Sequence, residues 1–257
     1  MKPLAVHNPF NAPVYHEDTV DSTMEVSRLL ARQGEPHGTV IAADFQRAGR
    51  GRIKGRIWQQ DRKDLAFTVL LRFSGIENIP SALTLRTGLA VSLAIEDFAP
   101  ALSGNVLIKW PNDILLADTD RKASARKTAG ILTEADGGVV HIGIGVNVAR
   151  RQFPDILRDK ATSIGIAADS VGGDCYALLE MILARLHAGI SAEGWHSSLE
   201  ARLYKMGEQV SFIEGPADSG KTVTGVLAGI GPDGGLLIMP SGSPSVLSFT
   251  AGELVLT

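Results

Sequence analysis

KTAGILTEADGGVVHIGIGVNVA, residues 127–149, is the stretch whose reading decides the architecture. TAGILTEA and VVHIGIGVNVA are strand-forming runs, and Asp136, Gly137 and Gly138 between them are turn residues, so the stretch reads as a β-hairpin. Working outward, LAFTVLLRF (65–73), NVLIKWP (105–111), ILLA (114–117) and GTVIAADFQ (38–46) are further strands, with Pro111 stopping the second of these. Helices alternate with them. Ser22 and Glu25 have capping-box spacing at the head of a helix over 22–33. Leu85, Leu89 and Leu93, with Val91, Ile95 and Phe98 on a second face, predict a largely buried helix over 82–98. Two more helices are expected at 174–190 and 193–204. Arg47–Arg62 is a polar, Gly- and Arg-rich loop, and DTDRKASARK (118–127) is too charged for a core and reads as an exposed loop. The predicted fold is α/β (α+β), a mixed or antiparallel sheet flanked by helices, over residues 1–206.

The texture changes after Gly207. EQVSFIE, TVTGVLAGI, GLLIMP and SVLSFT are short strands separated by Gly, Pro, Asp and Ser. Residues 207–257 are therefore expected to form a small all-β barrel of about 50 residues.

Composition narrows the function classes. Hydrophobic residues make up 44% of the 257 positions, enough to bury a large core. The 25 basic residues are outnumbered by 28 acidic ones, which argues against a dedicated nucleic-acid binder. Cys175 is the only cysteine, so no intramolecular disulfide forms and a reducing compartment is expected. MKPLAVHNPFNAPVYHED lacks the apolar stretch of a secretion signal, and no apolar run approaches the roughly 18 residues of a membrane span. A cytoplasmic location is expected.

Two tempting motifs fail on context. GPADSGKT (215–222) matches the phosphate-loop pattern, but VTGVLAGI behind it opposes the helix whose N-terminus would hold the phosphates. Gly229, Gly231 and Gly234 spell a dinucleotide fingerprint, yet Pro232-Asp233-Gly234 is turn chemistry between strands. The six histidines show no metal-ligand spacing, and no metal ligand is assigned. Cys175 reads as a structural thiol.

Four separated segments combine into something more specific: DST (21–23), QRAGRGRIKGR (46–56), KWPNDILL (109–116) and KTAGILTE (127–134), with HIGIGVNV (141–148) behind them. In this order they resemble the catalytic domain of the biotin–protein ligases, within the biotin and lipoate ligase superfamily, from about Tyr15 to Gly207. GEQV, GIGPDGGLLI and GEL in the tail resemble that family's SH3-like C-terminal cap. Three departures stand out: Ile53 and Lys54 lengthen the Gly-Arg loop by one residue, Met24 replaces a common asparagine, and QQDRKD replaces a Ser-Pro stretch after the tryptophan.

The resemblance implies roles that the residue chemistry suits. Gly49-Arg50-Gly51-Arg52 has the mobile backbone and fixed charge to fold over an acyl-adenylate. Ser22, Thr23, Met24, Gln46, Arg50, Gly51, Arg52, Trp58 and Gly130 match positions on the biotin side. Lys127 matches the lysine between biotin's carboxylate and the ATP α-phosphate, where an ammonium offsets two converging anions. Lys109, Asn112, Gly143, Gly145 and Asn147 match the nucleotide side, and Asp113 a position linked to acyl transfer. Lys127, Arg52 and Asp113 are the expected catalytic residues.

The implied activity is ATP- and Mg²⁺-dependent formation of biotinyl-AMP, then transfer of biotin to a lysine of a biotin carboxyl carrier protein. The alternative is a lipoate or octanoate ligase on the same scaffold. A phosphate-loop ATPase centred on Lys221 is a third reading. With about 20 residues before Asp21, a DNA-binding regulator is not expected; nor is a nucleic-acid or membrane partner. A monomer or homodimer is consistent with the reading.

Overall fold

The hairpin of residues 127–149 lies inside an eight-stranded sheet in the computed structural model, which describes residues 1–53, 55–118, 121–169, 174–215 and 220–255. The strands are β1 (Lys2–Pro3), β2 (Val14–Glu17), β3 (Thr39–Ala43), β4 (Leu65–Arg72), β5 (Val106–Lys109), β6 (Asp113–Asp118), β7 (Arg121–Asp136) and β8 (Val139–Val146). Their order is β1-β2-β3-β4-β8-β7-β6-β5. Only β2 and β3 run parallel, so the sheet is mixed.

Side chains alternate across a strand, so register assigns every residue to a face. On β8, Val140, Ile142, Ile144 and Val146 share one face with Phe67, Val69 and Ile131 of the neighbouring strands. That face is the core. Against it lies α2 (Leu83–Phe98), with α4 (Cys175–Gly189) packed on α2. Gly88 brings α2 close to the sheet, because a Cβ there would stand 3.7 Å from both Ile114 and Ile131. The opposite face is covered by α1 (Thr23–Arg32), which packs on β3, β4 and β8. Two short helices, α3 (Ile164–Ala167) and α5 (Trp195–Glu200), complete the helical set among the described residues.

Two local expectations are corrected. Ser22 does occupy the N-cap of α1 in extended geometry, but its side chain makes no capping hydrogen bond. Glu25 turns away to Arg28 and Arg50, so the capping box does not form. Of the charged 118–127 stretch, expected to be a loop, residues 119 and 120 lie outside the described residues. Asp118, however, ends β6, and residues 121–127 extend β7, paired with β6 through Ala117–Ala125, Leu116–Arg126 and Leu115–Lys127. The β7–β8 ladder reaches only to Ala129. Beyond it residues 124–127 are exposed or half-buried, so polar side chains fit a strand there.

The tail is a five-stranded antiparallel sheet in the order β12-β11-β10-β9-β13. Its strands are β9 (Gln209–Glu214), β10 (Lys221–Ile230), β11 (Leu236–Pro240), β12 (Leu247–Phe249) and β13 (Glu253–Leu254). It docks on the end of β5. The Trp110 ring meets Phe212 edge-on at 5.8 Å, and Trp110 Nε1 donates to Gly234 O at 3.0 Å. Gly234 sits at φ 90°, and a Cβ on it would stand 2.6 Å from Ala82 Cβ, so both conformation and space call for glycine.

Both rejected motifs meet strands. Thr222 lies in β10 opposite Ile213 of β9, with no helix behind it; Pro216 to Ser219 are outside the described residues. Gly231 and Gly234 shape the turn between β10 and β11, with Gly231 N donating to Gly235 O and Gly234 N to Gly231 O. Among the described residues no helix is long and apolar enough to cross a membrane.

Candidate active site

The face of β8 that looks away from the core presents His141, Gly143 and Gly145. Gly145 pairs with Gly130 of β7, and Gly143 with Leu132. The glycines make a bare floor, and protein side chains settle into it. A Cβ on Gly143 would stand 2.8 Å from Met24 Sδ, and one on Gly145 would stand 2.6 Å from Trp58 Cζ2. A Cβ on Gly130 would crowd Lys127 Nζ at 3.1 Å. Met24 and Lys127 are flexible and can yield, but the Trp58 ring cannot without leaving the floor, so Gly145 is kept for closeness, not for backbone freedom. Met24 and Trp58 thus lie against Gly143 and Gly145, and all four line the cavity above the floor.

Above this floor lies a cavity of about 70 Å³. Its far wall is the head of α1, where Ser22, Thr23 and Met24 are all buried. Thr23 donates to Gln46 Oε1 from its backbone N (2.9 Å) and its hydroxyl (3.1 Å), and Thr68 Oγ1 donates to Thr23 Oγ1 at 2.8 Å. These bonds fix the carboxamide of Gln46, which explains a polar side chain at the end of an apolar strand. Asn112, which donates to Ile131 O at 2.9 Å, closes the opposite end. There Lys127 Nζ stands 2.6 Å from Asp113 Oδ1 and 5.9 Å from the centre of the Trp58 ring. The cavity therefore has a neutral hydrogen-bonding end and a cationic end.

The roof is the Gly-Arg segment, folded as a narrow hairpin. Trp58 N donates to Gly49 O at 3.0 Å, Gly51 N to Arg56 O at 2.9 Å, and Arg50 bridges Ile57. Lys54 lies outside the described residues. Arg50 pairs with Glu25 on α1; although desolvation acts to raise it, Arg28 and Arg50 hold the Glu25 carboxyl below its ordinary range. Arg52 Nη2 donates to Gly252 O at 2.8 Å, and Arg56 grips Glu253. Burial pushes the Glu253 carboxyl up, but the Arg56 hydrogen bond and the charges of Arg56, Lys109 and Arg52 outweigh it. The C-terminal sheet thereby fastens the roof.

Most residues singled out from sequence meet at this cavity: the Ser22–Met24 trio, Gln46, Arg50 to Arg52, Trp58, Asn112, Lys127 and the three floor glycines. Lys109, Asn147 and Asp113 are not in its lining, although Asp113 pairs with Lys127, which is. Lys109 is 5% exposed, and burial depresses its ammonium pKa. Asn147 is turned inward, its Nδ2 donating to Thr162 O at 3.0 Å. Sequence reading missed Ile131, Leu132 and Ile144 in the wall and Gly252 and Glu253 at the roof; the GEL tripeptide was the available signal for the last two. A second cavity of about 190 Å³ shares Arg52 and Asn112 and is bounded by Trp110, Thr84 and Thr250.

Elsewhere, His16, Asp18 and Asp44 place potential ligand atoms within 4.8 Å of one another. His16 turns Nε2 to Asp44 (2.8 Å) and Nδ1 toward Asp18 (3.9 Å), an arrangement of a hydrogen-bonded ring between two carboxylates. Cys175 is half-buried, and desolvation with the nearby Asp174 and Asp44 charges pushes its thiol up to about 11, which leaves it unreactive.

Fold and site together define a small-ligand α/β domain: a glycine-floored sheet face under a basic hairpin, with polar groups at one end and a lysine–aspartate pair at the other. Residues 17–148 match the biotin/lipoate A/B protein ligase family, and the chain belongs to that family. It is 31% identical to a biotin–[acetyl-CoA-carboxylase] ligase of Mycobacterium tuberculosis over 88% of this chain and 83% of that protein. It is 38% identical to the bifunctional ligase/repressor BirA of Bacillus subtilis over 60% of this chain; the match spans 46%, about half, of the length of that relative. The fold superposes on the biotin protein ligase from Aquifex aeolicus in complex with biotin and ATP with a TM-score of 0.77 at 27% identity, covering 95% of this chain and 98% of that one.

Proposed function

We propose that this chain is an ATP-dependent biotin–protein ligase that forms biotinyl-AMP and passes biotin to a lysine of a biotin carboxyl carrier protein. The carrying observation is that one cavity is lined both by the hydrogen-bonding set of Ser22, Thr23 and Gln46 and, at its other end, by Lys127, whose ion-pair partner Asp113 lies outside the lining. A ligand with a neutral polar head and an anionic tail fits that polarity. The similarity to the Mycobacterium tuberculosis biotin–[acetyl-CoA-carboxylase] ligase and to the Aquifex aeolicus complex with biotin and ATP supports biotin over lipoate.

In the first step the biotin carboxylate attacks the α-phosphorus and pyrophosphate leaves. Lys127 lies where carboxylate and phosphate converge and lowers the barrier by offsetting their charge, with Arg52 adding a second cation from the roof. Mg²⁺ would arrive on the ATP phosphates and screen their charge. The cavity-lining residues include no carboxylate to cage such an ion, and Asp113, outside the lining, is held by Lys127. In the second step the carrier's lysine amine attacks the mixed anhydride, and AMP leaves. Asp113 is assigned to this transfer as the carboxylate able to take the amine's proton. The hairpin of residues 49–58 excludes water from the anhydride, and the 207–257 unit acts as its clasp.

Incubation with ATP, biotin and a carrier domain should add one biotin to one lysine, read by mass spectrometry. Lys127→Ala should slow ATP–pyrophosphate exchange by on the order of 10- to 100-fold, the worth of one charged hydrogen bond to phosphate. No biotin addition by the wild type, or selective addition of lipoate, overturns the proposal.

A further inference from the structure

Asp64 and Arg150 form a buried ion pair, their side chains 0% and 8% exposed, outside the cavity lining. Arg150 Nη1 donates to Asp64 Oδ2 at 3.3 Å and to Gln59 O, the residue after Trp58, at 2.8 Å. Asp64 accepts from Asp61 N (2.8 Å) on the outgoing limb of the roof and from Val148 N (3.2 Å) just past β8. Ala149 N donates to Lys63 O at 3.1 Å. On its other side Arg150 accepts Ser163 Oγ at its carbonyl (2.7 Å), and its guanidinium lies 4.4 Å from the Phe153 ring centre. The neighbouring Thr162 joins directly to the site: it takes Asn147 Nδ2 at its carbonyl (3.0 Å), and its N donates to Lys127 O at 2.9 Å. Lys127 N in turn donates to Lys160 O at 2.9 Å.

We infer that the Asp64–Arg150 pair couples the two ends of the site, transmitting closure of the Trp58 hairpin to the 147–163 segment that frames Lys127. This rests on the ligase reading, in which biotin sits under the hairpin and the nucleotide beside Lys127. Stability is a poor reason to keep such a pair, because desolvation offsets most of its attraction and a packed apolar pair does as well. Arg150 Nε, buried and without a hydrogen-bond partner, shows that the group is not fully satisfied where it stands. What apolar side chains cannot do is hold two backbone segments by directed bonds, the roof limb through Gln59 O and Asp61 N and the β8 exit through Val148 N. From there the main chain of Arg150, whose carbonyl accepts Ser163 Oγ, carries the link to 160–164. Asp64 and Arg150 touch neither ligand in this reading; they are positioning residues.

Coupling is reciprocal and measurable as a ratio of affinities. The affinity of the full chain for α,β-methylene-ATP should rise at least tenfold when biotin is saturating, by calorimetric titration. Asp64→Asn and Arg150→Met should bring that ratio below threefold. A merely structural role would weaken each ligand and leave the ratio alone, so variants that keep the wild-type ratio overturn the inference, as does a wild-type ratio near one. Hydrogen exchange on the wild type gives a second reading free of folding defects: biotin alone should slow the amides of Thr162 and Ile164, and unchanged exchange there overturns the coupling. A wild type that binds neither biotin nor the nucleotide analogue sinks the ligase reading itself, a separate outcome.

Discussion

Arg56 and Glu253 stand 197 positions apart in the chain and meet in a two-pronged ion pair, Nη1 to Oε1 at 2.7 Å and Nη2 to Oε2 at 2.9 Å. With the Arg52–Gly252 bond it ties the active-site roof to the last described strand of the C-terminal sheet. Paired forks favour one orientation of the guanidinium, so the contact fixes position as well as supplying energy. The tail is thereby part of the site's geometry, not an appendage to it.

Glu253→Gln should loosen that roof. Arg56 is 56% exposed, so solvent screening limits the pair to about 0.5–1 kcal/mol. An Arg56–Glu253 double-mutant cycle on the dissociation rate of the biotinyl-AMP intermediate should give coupling of that size, a two- to fivefold faster release in each single variant. The effect should shrink in 1 M salt, where charges are screened within about 3 Å. Additive single variants would mean that the pair does not hold the roof.

Gly145→Ala puts a methyl group where the Trp58 ring lies, 2.6 Å from Cζ2. The ring must leave the floor, and the hairpin that it anchors must shift with it. Biotin affinity should fall by about 5- to 150-fold if the overpacking cost of about 1–3 kcal/mol falls on the bound state. Gly137→Ala is the control: it sits at φ 59° in the β7–β8 turn with nothing near its missing Cβ, so it should affect stability without touching biotin affinity. Equal affinity losses in both variants would refute the close-packing explanation.

The sheet and the cavity were legible in sequence for different reasons. The β7–β8 hairpin announced itself through local chemistry, turn residues between two apolar runs. Thr23, Gln46, Arg52 and Lys127 were legible only as an ordered set, because none of them is unusual alone. Relations between distant polar residues stayed hidden. Glu25 fits a capping box by spacing, yet Arg50 competes for it from 25 positions away. Asp64 and Arg150 look like two surface charges until the fold buries them together. The strand over 121–127 was misread because composition reports what a core rejects, whereas its residues 124–127 pair along the backbone without being fully buried.

Lys221→Ala tests the phosphate-loop pattern. Lys221 opens β10 opposite Glu214, and the strand continues through Thr222. With no helix N-terminus behind the loop, the ammonium has no phosphate site to complete. ATP–pyrophosphate exchange should stay within twofold of the wild type. A loss of ATP use in this variant would reinstate the site.

Stability should be nearly flat between pH 4 and 6 because two buried groups oppose each other. Burial raises Asp64 to about 6 against hydrogen bonds from Asp61 and Val148 and the Arg150 charge, so the native state holds a proton that the unfolded state, at 3.8, has released. That makes the fold lose stability as pH rises from about 4 to 6. Burial, with the Arg28 and Arg72 charges, depresses His141 from 6.5 to about 4, so there the unfolded state binds the extra proton and the fold gains stability over nearly the same rise. Each shift is worth on the order of 3 kcal/mol, with opposite sign. Denaturant titrations from pH 4 to 7 should therefore show Asp64→Asn weakening as pH falls through this window, where His141 acts alone. His141→Gln, which leaves Asp64 alone and removes the partner of Ser27 Oγ, should be stabilised by the same acidification. Parallel profiles in the two variants would show that these buried groups do not set the pH response.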